Sequence, residues 1–112
     1  MNIRKPTDYT TMFAALDAAV ATQLPQMELY CEMGRVVSGR AEKGAAVAAS
    51  EYLQAAYPAV DGFSPRNLRR MRDFYRMYGN MPELLAEAMR LNWTQNVVIM
   101  EAGLTMNERR WY

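Results

Sequence analysis

Apolar residues in the first third of the chain recur at steps of three and four. Phe13, Leu16, Val20, Leu24, Met27, then Tyr30 or Cys31, then Gly34 or Val37 form one stripe over residues 11–38. That spacing is the period of a helix with one buried face. Pro25 has no backbone N–H to donate, so it predicts a kink or a second helix opening there, with the break near residues 23–25. Residues 39–44 read as a loop. A helix follows over AAVAASEYLQAAY, residues 45–57, with Val47, Tyr52 (or Ala48), Leu53 and Ala56 inward, and it stops before Pro58. The segment PAVDG, residues 58–62, is turn chemistry. Ser64 then supplies an N-cap, Pro65 a first helical residue, and Gly79 a left-handed position to end that helix. MPELLAEAMRL, residues 81–91, opens another helix with Pro82 in its first turn. TQNVVIMEA, residues 94–102, gives one more, capped by Thr94 and closed by Gly103. Thr105 and Glu108 match a capping box for a last helix that the chain end at Tyr112 cuts short, so the chain reads as a fragment or as one that lost its continuation. Strand-like alternation is scarce. The pattern predicts an all-α compact bundle of five or six helices in one domain, residues 1–112, with a helix-turn-helix-like unit over about residues 45–78.

Composition excludes more than it adds. The 112 residues are 51% hydrophobic and 22% charged, which is globular composition with enough chain for one modest core. The formal net charge is +1, so any attraction to nucleic acid must be local. Cys31 is the single cysteine, which suits a reducing compartment. It lies on the apolar stripe, where a buried inert thiol is expected, since there is no histidine to activate it. The absence of histidine also removes the commonest general base and metal ligand. No signal-peptide core and no membrane-length apolar run is present, so a cytoplasmic protein without membrane contact is expected. Glu28 with Glu32 and Glu83 with Glu87 stand at i,i+4 spacing without a Glu-x-x-His motif and read as solvated faces. Neither a metal, a cofactor nor a small-molecule substrate is expected.

One segment departs from the near-neutral balance. GFSPRNLRRMRDFYRMYG, residues 62–79, carries Arg66, Arg69, Arg70, Arg72 and Arg76 against one acid, Asp73. On a helical wheel at about 100° per residue, Leu68, Met71, Phe74, Tyr75 and Tyr78 gather within roughly a third of the circle, and the arginines take the rest. A helix, a turn with glycine and then this helix is the outline of a helix-turn-helix, whose second helix enters the major groove. Arginine suits that role because its planar fork pairs bidentately with phosphate or guanine. Asn67, near the helix start, is placed to read adenine. A solvated basic face explains the same pattern without a ligand.

Four ordered blocks narrow the reading: LYCEMGR (29–35), GFSPRNLRRMRDFY (62–75), NWTQNVVIME (92–101) and ERRWY (108–112). Together they resemble the N-terminal domain of the YhcG family, predicted bacterial nucleases of the PD-(D/E)XK class. The resemblance implies a helical module that precedes a nuclease domain in longer relatives and serves nucleic-acid or partner recognition there. Two positions depart from the family pattern. Cys31 stands where tryptophan is usual, and Gln95 where histidine is usual; glutamine donates and accepts hydrogen bonds but does not titrate. No aspartate is followed at a plausible distance by Glu-x-Lys, so the metal-binding carboxylates of such a nuclease are missing and this chain is not expected to cut DNA.

The leading expectation is therefore a non-catalytic nucleic-acid-binding or targeting module, with DNA as the first candidate partner and RNA as the second. Arg66, Asn67, Arg69, Arg70, Arg72 and Arg76 are its candidate contacts. The first two are alternatively structural, because residues at a helix start often lock the preceding turn. Tyr30, Glu32, Gly34, Arg35, Gly62, Phe63, Ser64, Trp93, Asn96 and Trp111 carry the resemblance and are expected to hold the fold, Glu32 by pairing with an arginine such as Arg35 or Arg66. The alternative is a protein-interaction domain. It would dimerise, or dock to a nuclease subunit, through the N-terminal apolar stripe and the severed C-terminal helix, where Trp111 and Tyr112 would be partly exposed.

Overall fold

Two residues divide the N-terminal stripe into two helices. Gln23 takes a positive φ of 53°, and Pro25 follows in extended backbone (φ −54°, ψ 154°) as an N-cap. The computed structural model, which describes residues 8–102, accordingly begins with α1 (Thr10–Ala21) and α2 (Gln26–Ser38). It continues with α3 (Ala45–Ala56), α4 (Pro65–Tyr78), α5 (Pro82–Met89) and α6 (Trp93–Glu101). The described residues are thus all-α, as the periodicity predicted. Gly103, Thr105, Glu108, Trp111 and Tyr112 lie outside them.

Most boundaries have the local cause read from the sequence. Ser64 Oγ accepts the Asn67 N–H at 3.1 Å, and Pro65 opens α4. Pro82 opens α5. Two boundaries differ. The cap of α6 is Asn92 rather than Thr94: Asn92 Oδ1 accepts the Gln95 N–H at 2.8 Å, and Gln95 Oε1 accepts the Asn92 N–H at 3.0 Å. This capping box satisfies two backbone donors, whereas Thr94 would have Val97 at the reciprocal position, which has no acceptor. Gly79 ends α4 with right-handed backbone (φ −58°, ψ −30°), not the left-handed conformation expected. Space is what glycine supplies there, since a Cβ would lie 2.6 Å from the Tyr75 carbonyl oxygen and 2.9 Å from its ring.

The core is built on α4. Leu68, Met71 and Phe74 are fully buried and Tyr78 nearly so, while Tyr75 is half-buried. Removing each large apolar side chain from water is worth about 1.5–3 kcal/mol. α2 lies along this face through Tyr30, Met33, Gly34 and Val37. At Gly34 an added Cβ would sit 2.1 Å from the Met71 carbonyl oxygen, so only glycine permits so close a crossing.

α3 turns a different side inward from the one expected. Ala45, Ala46, Ala49, Ser50 and Leu53 are buried, but Val47 and Tyr52 are half-buried and Ala56 is exposed. The side chains that α3 turns inward are mostly small, and α4 is its main partner. Tyr52 faces α1 instead: its ring stacks on Phe13 with centroids 4.2 Å apart. Its hydroxyl donates to the Asp17 carboxylate, as does the Tyr57 hydroxyl at 2.7 Å. α6 reaches the core through Trp93, which meets Tyr30 and Phe74 edge-on at 5.0 and 5.8 Å. Residues 57–64 join α3 to α4, about twice the length of the usual three- to four-residue helix-turn-helix connection. Among the described residues no helix is long and apolar enough to cross a membrane.

Candidate nucleic-acid interface

The turn before α4 fixes where the arginines point. The Phe63 carbonyl accepts from Ser50 Oγ at 2.6 Å and from Gln54 Nε2 at 2.9 Å, which ties the turn to α3. Phe63 itself is buried. Gly62 holds a φ of +96°, and a Cβ there would lie 2.2 Å from the Tyr30 hydroxyl, so the position needs glycine for both conformation and room. The Gly62 carbonyl accepts Asn67 Nδ2 at 2.6 Å, and Asn67 Oδ1 accepts Trp93 Nε1 at 2.8 Å. One side chain therefore joins the turn, the start of α4 and the start of α6. Burial pushes the Tyr30 phenol above its ordinary pKa, so it stays protonated beside these groups.

With the start of α4 anchored, its five arginines take two kinds of position. Arg70 and Arg72 flank the buried face, and their side chains retain 26% and 17% exposure. Long stems of this kind cover apolar surface while the head reaches water. Arg66, Arg69 and Arg76 lie on the outer side. Each guanidinium then meets different company. Arg66 and Arg70 both reach Glu101 Oε1 on α6, Arg66 at 3.5 Å and Arg70 more closely. Arg72 pairs with Asp73 at 3.0 Å. Arg76 donates to the Arg40 carbonyl at 3.4 Å, and Arg69 makes no ion pair among the described residues. Five guanidiniums against Asp73 and Glu101 leave an excess of three positive charges on this surface.

The loop between α2 and α3 adds to the same side of the molecule. Arg40 lies over the Tyr9 ring at 4.8 Å and pairs with Glu42 at 2.9 Å, and Lys43 is exposed beside them. Nothing in the sequence pattern placed this loop next to α4. The link is the Arg76–Arg40 contact, which only the packing of α2 against α4 creates.

The remaining candidates among the described residues make contacts within the chain. Glu32 pairs with Arg35, one of the two partners expected, but on the outside of α2, where such a pair contributes about 0.3–0.5 kcal/mol. The hydrogen bond from Arg35 holds the Glu32 carboxyl below its usual range. Asn96 is buried, and its Nδ2 donates to the Ala88 carbonyl at 2.9 Å and to the Asn92 carbonyl at 3.1 Å, closing the end of α5 onto α6. Cys31 is half-buried rather than buried, and burial first, then the Glu32 charge, raises its thiol pKa, so the thiol stays protonated at neutral pH. Trp111 lies outside the described residues. The pairing of Glu101 with α4 and the Asp17–Tyr52–Tyr57 cluster were not legible in the sequence pattern, because the partners stand more than 30 residues apart in the chain.

Neither a curated protein nor a solved structure matches the chain. A family model, described as the DUF1016 N-terminal domain, matches residues 12–112 and so spans all four blocks that carry the resemblance. The chain therefore belongs to the DUF1016 N-terminal domain family.

Proposed function

We propose that this chain is a non-catalytic nucleic-acid-binding module whose α4 surface meets the phosphate backbone, with DNA as the first partner to test. The observation that carries this reading is the pair Arg69 and Arg76. They stand two turns apart on the outer side of α4, about 10 Å along its axis by helical rise, and neither is matched by a carboxylate among the described residues. Lys43 is exposed on the same side, beside an Arg40 that Glu42 already matches, and Arg66, Arg70 and Arg72 border it. Asn67 serves by holding α4 in place, since both ends of its amide are engaged within the fold.

Fluorescence anisotropy of a labelled duplex at several salt concentrations tests the reading. Binding should weaken linearly in log salt, and Arg69→Glu with Arg76→Glu should flatten the slope by about 1.8, the loss of two phosphate contacts. Binding that ignores salt, or the same negligible binding by both proteins, would sink it. A single-stranded RNA of equal length in parallel decides between the two nucleic acids.

A specific observation favours a second reading, self-association. Val98 on α6 is 61% exposed, and Leu91 and Ile99 lie beside it around a shallow apolar depression. Under that reading the mass in sedimentation rises with concentration, Val98→Asp abolishes the rise, and no duplex binds.

A further inference from the structure

Glu101 is the one acid that forms an ion pair with α4 from another helix among the described residues. Its Oε1 is shared by guanidiniums one turn apart, Arg66 and Arg70. Two arginines at i and i+4 converging on a single oxygen form an arrangement that suits a phosphate oxygen equally well. The Glu101 side chain is 50% exposed and sits in the last turn of α6, at the margin of the core rather than within it. Hydrogen bonds from Arg70 first, then the charge of both arginines, hold its carboxyl below the usual range, so it is a full negative charge at neutral pH.

We infer that Arg66 and Arg70 form an anion cradle for a backbone phosphate of nucleic acid, and that Glu101 is its internal occupant in the free protein. The inference rests on the nucleic-acid reading above and adds regulation to it. In the free protein Arg69 and Arg76 are open to phosphate, while α6 holds the other end of the arginine face. Exchange of the carboxylate for a phosphate recruits that end. Both guanidiniums are paired before and after the exchange, one anionic oxygen replacing another. Because a carboxylate must leave for the cradle to fill, Glu101 weakens binding and reduces the number of phosphates engaged.

The test compares the whole wild-type chain, Glu101→Gln, and Glu101→Gln combined with Arg66→Gln and Arg70→Gln. A labelled DNA duplex is titrated at several salt concentrations, after circular dichroism melts establish that each protein is folded. Glu101→Gln should bind about threefold to tenfold more tightly at low salt, with a salt slope steeper by about 0.9, the signature of one added phosphate. The triple variant should lose that gain. Equal affinity and slope for wild type and Glu101→Gln would overturn the cradle; if Arg69→Glu with Arg76→Glu still flattens the salt slope by about 1.8, the interface reading stands without it. A gain that survives in the triple variant would also overturn the cradle, because it would then come from lost negative charge in general. No binding by any of these proteins would overturn the interface reading and the cradle together. Glu101→Ala serves the same comparison if the glutamine variant does not fold.

Discussion

Asp17 shows what a single side chain decides in this fold. It is the only acid on α1, and it accepts hydrogen bonds from two tyrosines, Tyr52 in α3 and Tyr57 just after it. Those bonds, that from Tyr52 first, hold its carboxyl below the ordinary 3.8. A lowered folded-state pKa means that the bond's contribution is fully present above about pH 3.8 and is lost as pH falls through the lower, folded value. The two phenols are raised above the ordinary 10.0 by the same contact, so their contribution is present below pH 10.0 and is lost as pH rises through the raised values. Melting temperatures of wild type and Asp17→Asn should therefore differ by a constant amount from pH 5 to 8 and converge below about pH 3.8. A difference that stays constant down to pH 2 would show that the hydrogen-bonded carboxylate has no such role. Using the difference between two proteins cancels Glu32 and Glu101, whose lowered pKa values act in the same direction. Asn67 makes the complementary point. Its position at the start of α4 was legible as either a base-reading or a turn-locking residue, and its two hydrogen bonds, to Gly62 and from Trp93, occupy the amide inside the fold.

Between elements, α2 and α4 form the most extensive helix pairing among the described residues. The i,i+4 pattern made both helices legible, but nothing in it distinguished Gly34 from any other small residue on the stripe. The distance does: a methyl group there would fall 2.1 Å from the Met71 carbonyl oxygen and 3.1 Å from the Tyr75 Cβ. A backbone oxygen cannot step aside as a flexible side chain can, so the two helices must separate. Gly34→Ala should lower stability by about 1–3 kcal/mol in urea unfolding. Gly44→Ala, where the nearest atom to the new methyl is the Tyr9 hydroxyl at 3.7 Å, should change it by less than about 1 kcal/mol. Equal effects of the two substitutions would refute the close crossing. The inward side of α3 is likewise not the one its bulky residues predict. Ala46, Ala49 and Ser50 are fully buried while the bulkier Val47 stays half-buried, so side-chain size alone does not decide which face turns inward.

At the scale of the whole molecule, stability should be uneven. α4 packs extensively on α2 and on α3, whereas α5 touches it lightly. Amide hydrogen exchange should therefore be slowest in the middle of α2 and α4, around Met33 and Met71, and at least about tenfold faster in α5. Uniform protection across all six helices would contradict that ranking. The same unevenness bears on function. The arginine surface rides on the most firmly held helix, and Glu101, which covers part of it, comes from the last turn of the last described helix. A rigid charged face with a more loosely held cover is what the proposed exchange of carboxylate for phosphate requires.

The sequence by itself determined the all-α class, the break at residues 23–25, the Ser64–Pro65 helix start, the amphipathic division of α4 and the family blocks. These depend on periodicity, caps and proline, which act within a turn or two of chain. Tertiary structure alone decided which arginines are open and which are matched, because Arg66 and Arg70 meet Glu101 from 35 and 31 residues away and Arg76 meets Arg40 across 36. It likewise decided that Gly79 is needed for space rather than for a left-handed turn. Charge pairing and close approach depend on distance in space, and local pattern carries no record of that distance.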